Sequence, residues 1–429
     1  DRRQRQMCIR DRNRDFTMEG YNKKVIMSYW TICRMKTTKK IYVKVSIIFL
    51  LGGILLFSSC EKEENQKIEA NRKTLFMYLP WSSNLTNYFY NNISDLEKCI
   101  TKIGLNNEKV IVFISTGSTE AMMFEIVSSH GRCKREILKK YKSPPFTTID
   151  GITAILNDVK AFAPASVYTM IIGCHGMGWL PVYEMKVRSA PHMKMHWEYQ
   201  GVPLTRYFGG LTAEYQTDIK SLASGIANAG MKMEYILFDD CYMSSIEVAY
   251  ELKDVTKYLI GSTSEMMAYG MPYAAIGEYL LGNPDYQSGC EEFYNFYSTY
   301  EIMPCGTLAV TDCSELENMA AIIKSINSKY SFDKSLRGTI QRLDGYTPVI
   351  FYDFADYITS LCNDPILLNQ FREQLNHLVP YKTHTKNFYT MAKGIIPINT
   401  FSGITTSDPS DNPMTVLKEN TLWYKAAHN

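Results

Sequence analysis

Four short runs constrain the fold more than any other feature. KVIVFIST from Lys109, SVYTMIIGCH from Ser166, MEYILFDDC from Met233 and KYLIGSTS from Lys257 each carry a nearly unbroken apolar stretch. A half-exposed strand alternates in polarity, whereas a strand apolar throughout is buried on both faces, as in a parallel sheet covered by helices. Helical periodicity fills the intervals. NLTNYFYNNISDLEKCI follows a first strand, TLFMYLP from Thr74. TTIDGITAILNDVKAF sets Ile149, Ile152, Ile155, Leu156 and Val159 at helical spacing after a Thr147 or Thr148 cap and stops at Pro164. TDIKSLASGIANAG ends at Gly230, and SSIEVAYEL separates the last two runs. This alternation predicts an α/β fold: a three-layer sandwich with a largely parallel central sheet, helices on both faces and right-handed crossovers.

AMMFEIVS from Ala121 predicts a further strand, paired with a short partner around Cys133 to Leu138, and 180–215 reads as irregular loop. Beyond Pro272, helices are expected at Ala274 to Leu281, Gly289 to Tyr300, Ser314 to Lys329 and Pro365 to His377. Short strands are expected near Thr307 and Pro348, and GIIPINTFSGITTSDPSDNPM reads as a strand and a long loop. These continue a single domain over 74–429, with a C-terminal extension from about 300. The 46 basic and 44 acidic residues interleave to a net charge of +2. With no basic stripe, nucleic acid is not an expected partner. A monomer is expected.

The N-terminus reads differently. Residues 1–34 have no place ahead of an export signal; they are set aside as a misassigned start and disordered. MKTTKKIYVKVSIIFLLGGILLFSSCEKEEN then places lysines before an apolar stretch and small residues before Cys60. This order resembles a bacterial lipoprotein signal over 35–60, with lipid carried by Cys60 and 61–73 as a charged tether. An uncleaved anchor is the alternative. Either way the bulk lies outside the cytoplasm, held at a membrane, and the acidic EKEE suits the outer face of an outer membrane. Leaving out Cys8, Cys33 and Cys60, eight of the eleven cysteines remain at irregular spacing, and a chain this long needs no disulfide framework.

Two of the four runs end in residues able to do chemistry. In an open parallel sheet, loops beyond the strands' carboxyl ends collect the functional groups. His175 ends one run and Cys241 another, so both are expected on one sheet edge, in a cleft open to water. A free thiol has a pKa of about 8.5 and is mostly protonated at neutral pH; an imidazole and a helix start favour the thiolate. The helix beginning at MSSIEVAYEL is expected to supply that field, and His175 to move the proton. Gly176 lets backbone approach a carbonyl, so its N–H and that of Cys241 are the expected oxyanion hole. Cys174, next to His175, points the other way in a strand and reads as core.

A strand ending in His-Gly followed by one ending in Asp-x-Cys resembles the clostripain family of cysteine peptidases, which shares the caspase-like fold with caspases, gingipains, legumain and separase. HGMGW, LFDDCYMSSIEVAYEL and GSTSEMMAYGMPY carry the likeness, which runs from about Thr74 to Tyr279. The resemblance implies a Cys241–His175 dyad needing no third acid, acting on peptide or protein substrates after Arg or Lys. Asp239 matches an acidic pocket position. Tyr269 stands where relatives place a second acid, and Glu265 lies nearby. It further implies self-cleavage between the two motifs, at Lys186, Arg188, Lys194 or Arg206, and no cofactor other than the calcium that activates some relatives.

Plainer readings stand beside these. His175 could be a loop histidine, Cys241 a buried thiol, and Asp239 and Asp240 acids placed near a helix start. His192 and His196 in HMKMH lack the glutamate of a zinc motif. An inactive caspase-like scaffold, and a surface lipoprotein that binds glycans or peptides, are the competing functions.

Overall fold

In the computed structural model, which describes residues 71–182 and 215–428, the apolar runs become the middle of a nine-stranded sheet. All described residues belong to the compact unit Glu69–Asn429. The elements, in chain order, are β1 (Asn71–Leu79), α1 (Thr86–Ile103), β2 (Glu108–Ser115), β3 (Glu120–Ser129), β4 (Arg132–Lys142), α2 (Ile149–Phe162) and β5 (Ala165–Ile172). After the undescribed interval come α3 (Ile219–Asn228), β6 (Met233–Phe238), α4 (Ile246–Leu252), β7 (Thr256–Gly261), α5 (Tyr273–Leu280) and α6 (Tyr286–Ser298). The remainder is β8 (Thr307–Asp312), α7 (Leu316–Asn327), β9 (Tyr352–Asp353), α8 (Phe354–Leu361), α9 (Pro365–Leu378), β10 (Tyr381–His384), β11 (Asn387–Thr390), β12 (Gly394–Pro397), β13 (Thr405–Thr406) and α10 (Leu422–His428).

The strand order is β10-β8-β7-β6-β5-β1-β2-β3-β4. From β7 to β2 neighbours run parallel; at each edge the pairing turns antiparallel, through β3–β4 on one side and β8–β10 on the other. The parallel expectation thus holds for the centre. At one edge the reason is local: His130 and Gly131 both take positive φ, 51° and 69°, the geometry of a two-residue hairpin turn. That turn makes β4 long, and its lysines and arginines guard an edge strand against further pairing.

Helices α1, α5 and α6 pack on one another, while α2, α3, α4, α10, α7 and α9 form a second continuous run of contacts. The chain steps from β1 to β2 in one direction and from β5 through β6 to β7 in the other. Right-handed crossovers therefore put the two groups on opposite faces. This is the caspase-like α/β sandwich. The amphipathic helices were well marked: α1 buries Phe89, Ile93, Leu96 and Ile100, and Thr148 caps α2 by accepting the Gly151 N–H at 3.1 Å.

Two details differ from expectation. β1 begins at Asn71 rather than Thr74, because Lys73 is buried and its ammonium donates to the carbonyls of Leu280 (2.6 Å) and Gly282 (3.2 Å), closing the end of α5. The strand sought near Pro348 is instead the two-residue β9, paired with β13. All eight cysteines of the described residues are free. Among those residues no helix is long and apolar enough to cross a membrane. Residues 1–70, with Cys60 and the proposed signal and most of the tether, lie outside the description.

Candidate active site

Strand order reverses between β1 and β5, and the crevice beyond the carboxyl ends at such a point is where open α/β sheets bind ligands. Tyr78 of β1 sits opposite Ile172 of β5, and Ile172 opposite Phe238 of β6. Pairing runs on past the strands: Gly173 N–H donates to Tyr78 O (3.1 Å) and Asp239 N–H to Ile172 O (2.8 Å). His175 follows Ile172, and Cys241 follows Phe238, by the same three residues. The expected meeting of the two motifs on one edge of the sheet is thus set by register.

The two loops are then locked together. Asp240 accepts the Cys174 N–H at 2.6 Å and faces the Cys174 thiol at 3.5 Å, which places Cys174 in the core. A Cβ built on Gly176 would collide with the Cys241 carbonyl oxygen and lie 2.9 Å from both Cys241 N and Asp240 Cβ. No residue but glycine allows that approach. Gly178, at φ 60°, is pressed in the same way on Phe351 and the Tyr242 carbonyl.

Immediately after Cys241 the backbone turns left-handed at Tyr242, φ 61°, a conformation costing about 1–2 kcal/mol for a side-chain-bearing residue. Its ring stacks on Phe351 (4.9 Å) and its hydroxyl donates to Glu265 Oε1 at 2.9 Å, which offsets that cost. The turn delays the helix: α4 starts at Ile246, capped by Ser245, which accepts the Val248 N–H at 3.2 Å. The field expected from a helix start beside Cys241 is therefore displaced. A backbone donor takes its place, since Met266 N–H points at Cys241 Sγ from 3.2 Å. On the other side, His175 Nε2 is 2.8 Å from Asn84 Oδ1, in the turn Ser83–Leu85 that follows β1.

Both His175 and Cys241 are fully buried, 0% exposed, where an open cleft was expected. Asn84, which is exposed, stands against the imidazole, and the Met266 backbone against the sulfur. Asp239 accepts Met271 N–H and Tyr273 O–H, each at 2.9 Å, and is 2% exposed. Glu265 accepts Met391 N–H at 3.1 Å besides Tyr242, tying the Tyr242 turn to the hairpin β11–β12. Tyr269 donates to Asp95 of α1 at 2.7 Å; burial and that bond push its hydroxyl pKa well up. Lys186, Arg188, Lys194 and Arg206, like His192 and His196, fall outside the described residues. Among those described, no three His, Cys, Asp or Glu side chains converge as a metal site.

Asn84 and the Met266 amide escaped the sequence reading. The amide has no sequence signature. Asn84 had one: it follows the strand at which the sheet reverses, but only the strand order, not the sequence, reveals which strand that is.

The sequence profile of the clostripain family matches residues 77–396. A secreted C11 cysteine protease from Bacteroides thetaiotaomicron, "iotapain", is 58% identical with a TM-score of 0.78, covering 84% of this chain and 99% of its own. A clostripain from Bacteroides thetaiotaomicron ATCC 29148, in complex with the peptide inhibitor BTN-VLTK-AOMK, is 65% identical with a TM-score of 0.51, over 52% of this chain and 99% of its own. An inactive zymogen C11 protease from Parabacteroides distasonis shares the fold at 24% identity and TM-score 0.69, over 83% and 98%. No curated protein matches. The chain belongs to the clostripain family and is a cysteine peptidase.

Proposed function

We infer that the chain is an endopeptidase working through Cys241 and His175, with a preference for Lys or Arg before the cut bond. The observation that carries the dyad is the shared register of the two residues on adjoining strands, with Gly176 seated on the Cys241 backbone. In this reading the Cys241 thiolate, favoured by the Met266 N–H, attacks the substrate carbonyl carbon and a C–S bond forms. The Gly176 and Cys241 amides receive the oxyanion. His175 passes the thiol proton to the departing amine as the C–N bond breaks, and water then hydrolyses the thioester. Asp239 lies two residues from the nucleophile and accepts from Met271 N–H and Tyr273 O–H; its carboxylate is the acid the resemblance assigns to a substrate cation. The Lys-ending letters VLTK of the relative's inhibitor favour the same preference.

Complete burial of the pair fits a latent chain that a cut between 183 and 214 activates, with Lys186, Arg188, Lys194 and Arg206 as the points to test. The secreted relative supports export, and lipid at Cys60 would hold the enzyme at a membrane; a Cys60→Ser chain should lose that attachment in a fractionation assay. The deciding experiment compares wild type with Cys241→Ala on short peptides bearing Lys, Arg or a neutral residue before the bond. Wild type should favour the basic peptides, and Cys241→Ala should lose activity by about 10⁴-fold or more. Equal cleavage by both proteins rejects Cys241, and wild-type cleavage of neutral peptides alone rejects the basic preference.

A further inference from the structure

Three adjacent strands reach the site, yet the dyad uses only two. The third, β1, runs into a turn whose shape is fixed: Ser82 Oγ donates to Pro80 O (3.0 Å), Leu85 N–H closes on Ser82 O (3.3 Å), and the Leu85 side chain is fully buried. Between them Asn84 is exposed at its surface and 2.8 Å from His175 Nε2 at its carboxamide oxygen. A carbonyl oxygen can only accept, so Nε2 must carry the hydrogen.

We propose that Asn84 is a positioning residue for the reaction, holding the Nε2–H of His175 so that Nδ1 is the ring nitrogen that exchanges the proton with Cys241. The inference rests on the dyad reading above and adds a third group to it. In the neutral ring, Asn84 selects the tautomer whose lone pair lies on Nδ1. When Nδ1 takes the thiol proton, the ring becomes a cation, and the bond from Nε2–H to Asn84 strengthens with the charge. The same oxygen thus serves both states, and the ring need not rotate between accepting the proton and giving it to the leaving amine. A neutral amide restrains the ring without fixing it as a permanent cation, as a carboxylate would tend to do.

The test uses Asn84→Ala, Asn84→Asp and Cys241→Ala in the full chain, brought to the same extent of processing as wild type and checked by denaturing gel. The substrate is a peptide with lysine before the bond. Because Asn84 is exposed, both Asn84 variants should melt with wild type. Asn84→Ala should lower kcat by about tenfold to a hundredfold with KM within about twofold. Asn84→Asp should keep most activity and move the alkaline limb of the kcat profile upward by about one pH unit, since a carboxylate at Nε2 stabilises the imidazolium. A kcat for Asn84→Ala within twofold of wild type overturns the role of Asn84, as do equal losses in both variants with an unmoved pH limb. Undiminished cleavage by Cys241→Ala overturns the dyad itself, a separate result.

Discussion

The described residues contain two His-Gly pairs following β-strands, and their fates are opposite. His130-Gly131 turns the β3–β4 hairpin at the edge of the sheet: both residues are exposed, both have positive φ, and a Cβ on Gly131 would meet nothing within 4 Å. His175-Gly176 lies at the reversal of strand order, buried, with the glycine flat against the Cys241 backbone. In the first pair glycine supplies a left-handed backbone; in the second it supplies an absence of atoms. The dipeptide is therefore no signature by itself, and what separates the two is the strand that follows in space. Replacing the histidines should show this most sharply. His175→Ala should reduce kcat/KM by about 10³-fold and His130→Ala by less than twofold, in the peptide assay above. Comparable losses would mean that the buried pair has no special place in the chemistry.

The glycines should separate on stability. Gly176→Ala must push the β6 loop away from the β5 loop, at a cost of about 3 kcal/mol in denaturant unfolding, and the displaced sulfur should lower kcat/KM by about a hundredfold. Gly131→Ala pays only for its left-handed backbone, about 1 kcal/mol, with activity unchanged. A Gly176→Ala protein as stable and active as wild type would show that the close approach of the two loops is dispensable.

The contrast explains how much of the molecule was legible. Local signals sufficed where a residue's role is local: β-branched runs gave the central strands, Thr148 the start of α2, and Cys241 and His175 their shared edge. They failed where the answer depends on residues far along the chain. Tyr242 takes a left-handed turn because Phe351, more than a hundred residues later, holds its ring. Lys73 joins a strand because α5 leaves carbonyls for it. Glu265, sought as a pocket acid, is engaged by Tyr242 and Met391, and nothing in GSTSEMMAYGMPY announces the hairpin β11–β12.

A second difference between the pairs lies in the ionisable groups beneath them. Trp179, just past the buried pair, donates its indole N–H to Ser407 Oγ at 2.9 Å, and Ser407 N–H in turn donates to Glu247 Oε1 at 2.7 Å. Glu247 is buried beside Asp408, near the Lys418 ammonium, and accepts Thr406 Oγ1 as well. Burial, with the Asp408 charge, pushes its pKa up from 4.5 to about 7. A raised carboxyl pKa contributes stability that is present below the unfolded value and lost as pH rises through the folded one. The window is therefore about pH 4.5 to 7, and between pH 5 and pH 8 wild type should lose about 2–3 kcal/mol more than Glu247→Gln in paired unfolding curves. Parallel pH profiles for the two proteins would show that Glu247 is not the group titrating beneath Trp179.

The smallest expected effect concerns what the buried pair serves. Asp239 and Asp240 are neighbours on the β6 loop, yet Asp240 faces the β5 loop through Cys174, whereas Asp239 faces Met271 and Tyr273 at the start of α5. Only Asp239 is thus turned toward the segment that carries Tyr269, where the resemblance locates the substrate's basic side chain. Asp239→Asn keeps an oxygen for the Met271 amide or the Tyr273 hydroxyl and removes the charge, so the fold should persist while attraction for a cation falls. A single charge at a screened distance is worth about 1.4 kcal/mol, which converts to about a tenfold fall in the ratio of kcat/KM for lysine over neutral peptides. The neutral peptide is the internal control. If its cleavage falls as far as that of the lysine peptide, Asp239 supports the Cys241 loop; if only the lysine peptide suffers, the carboxylate reads the substrate.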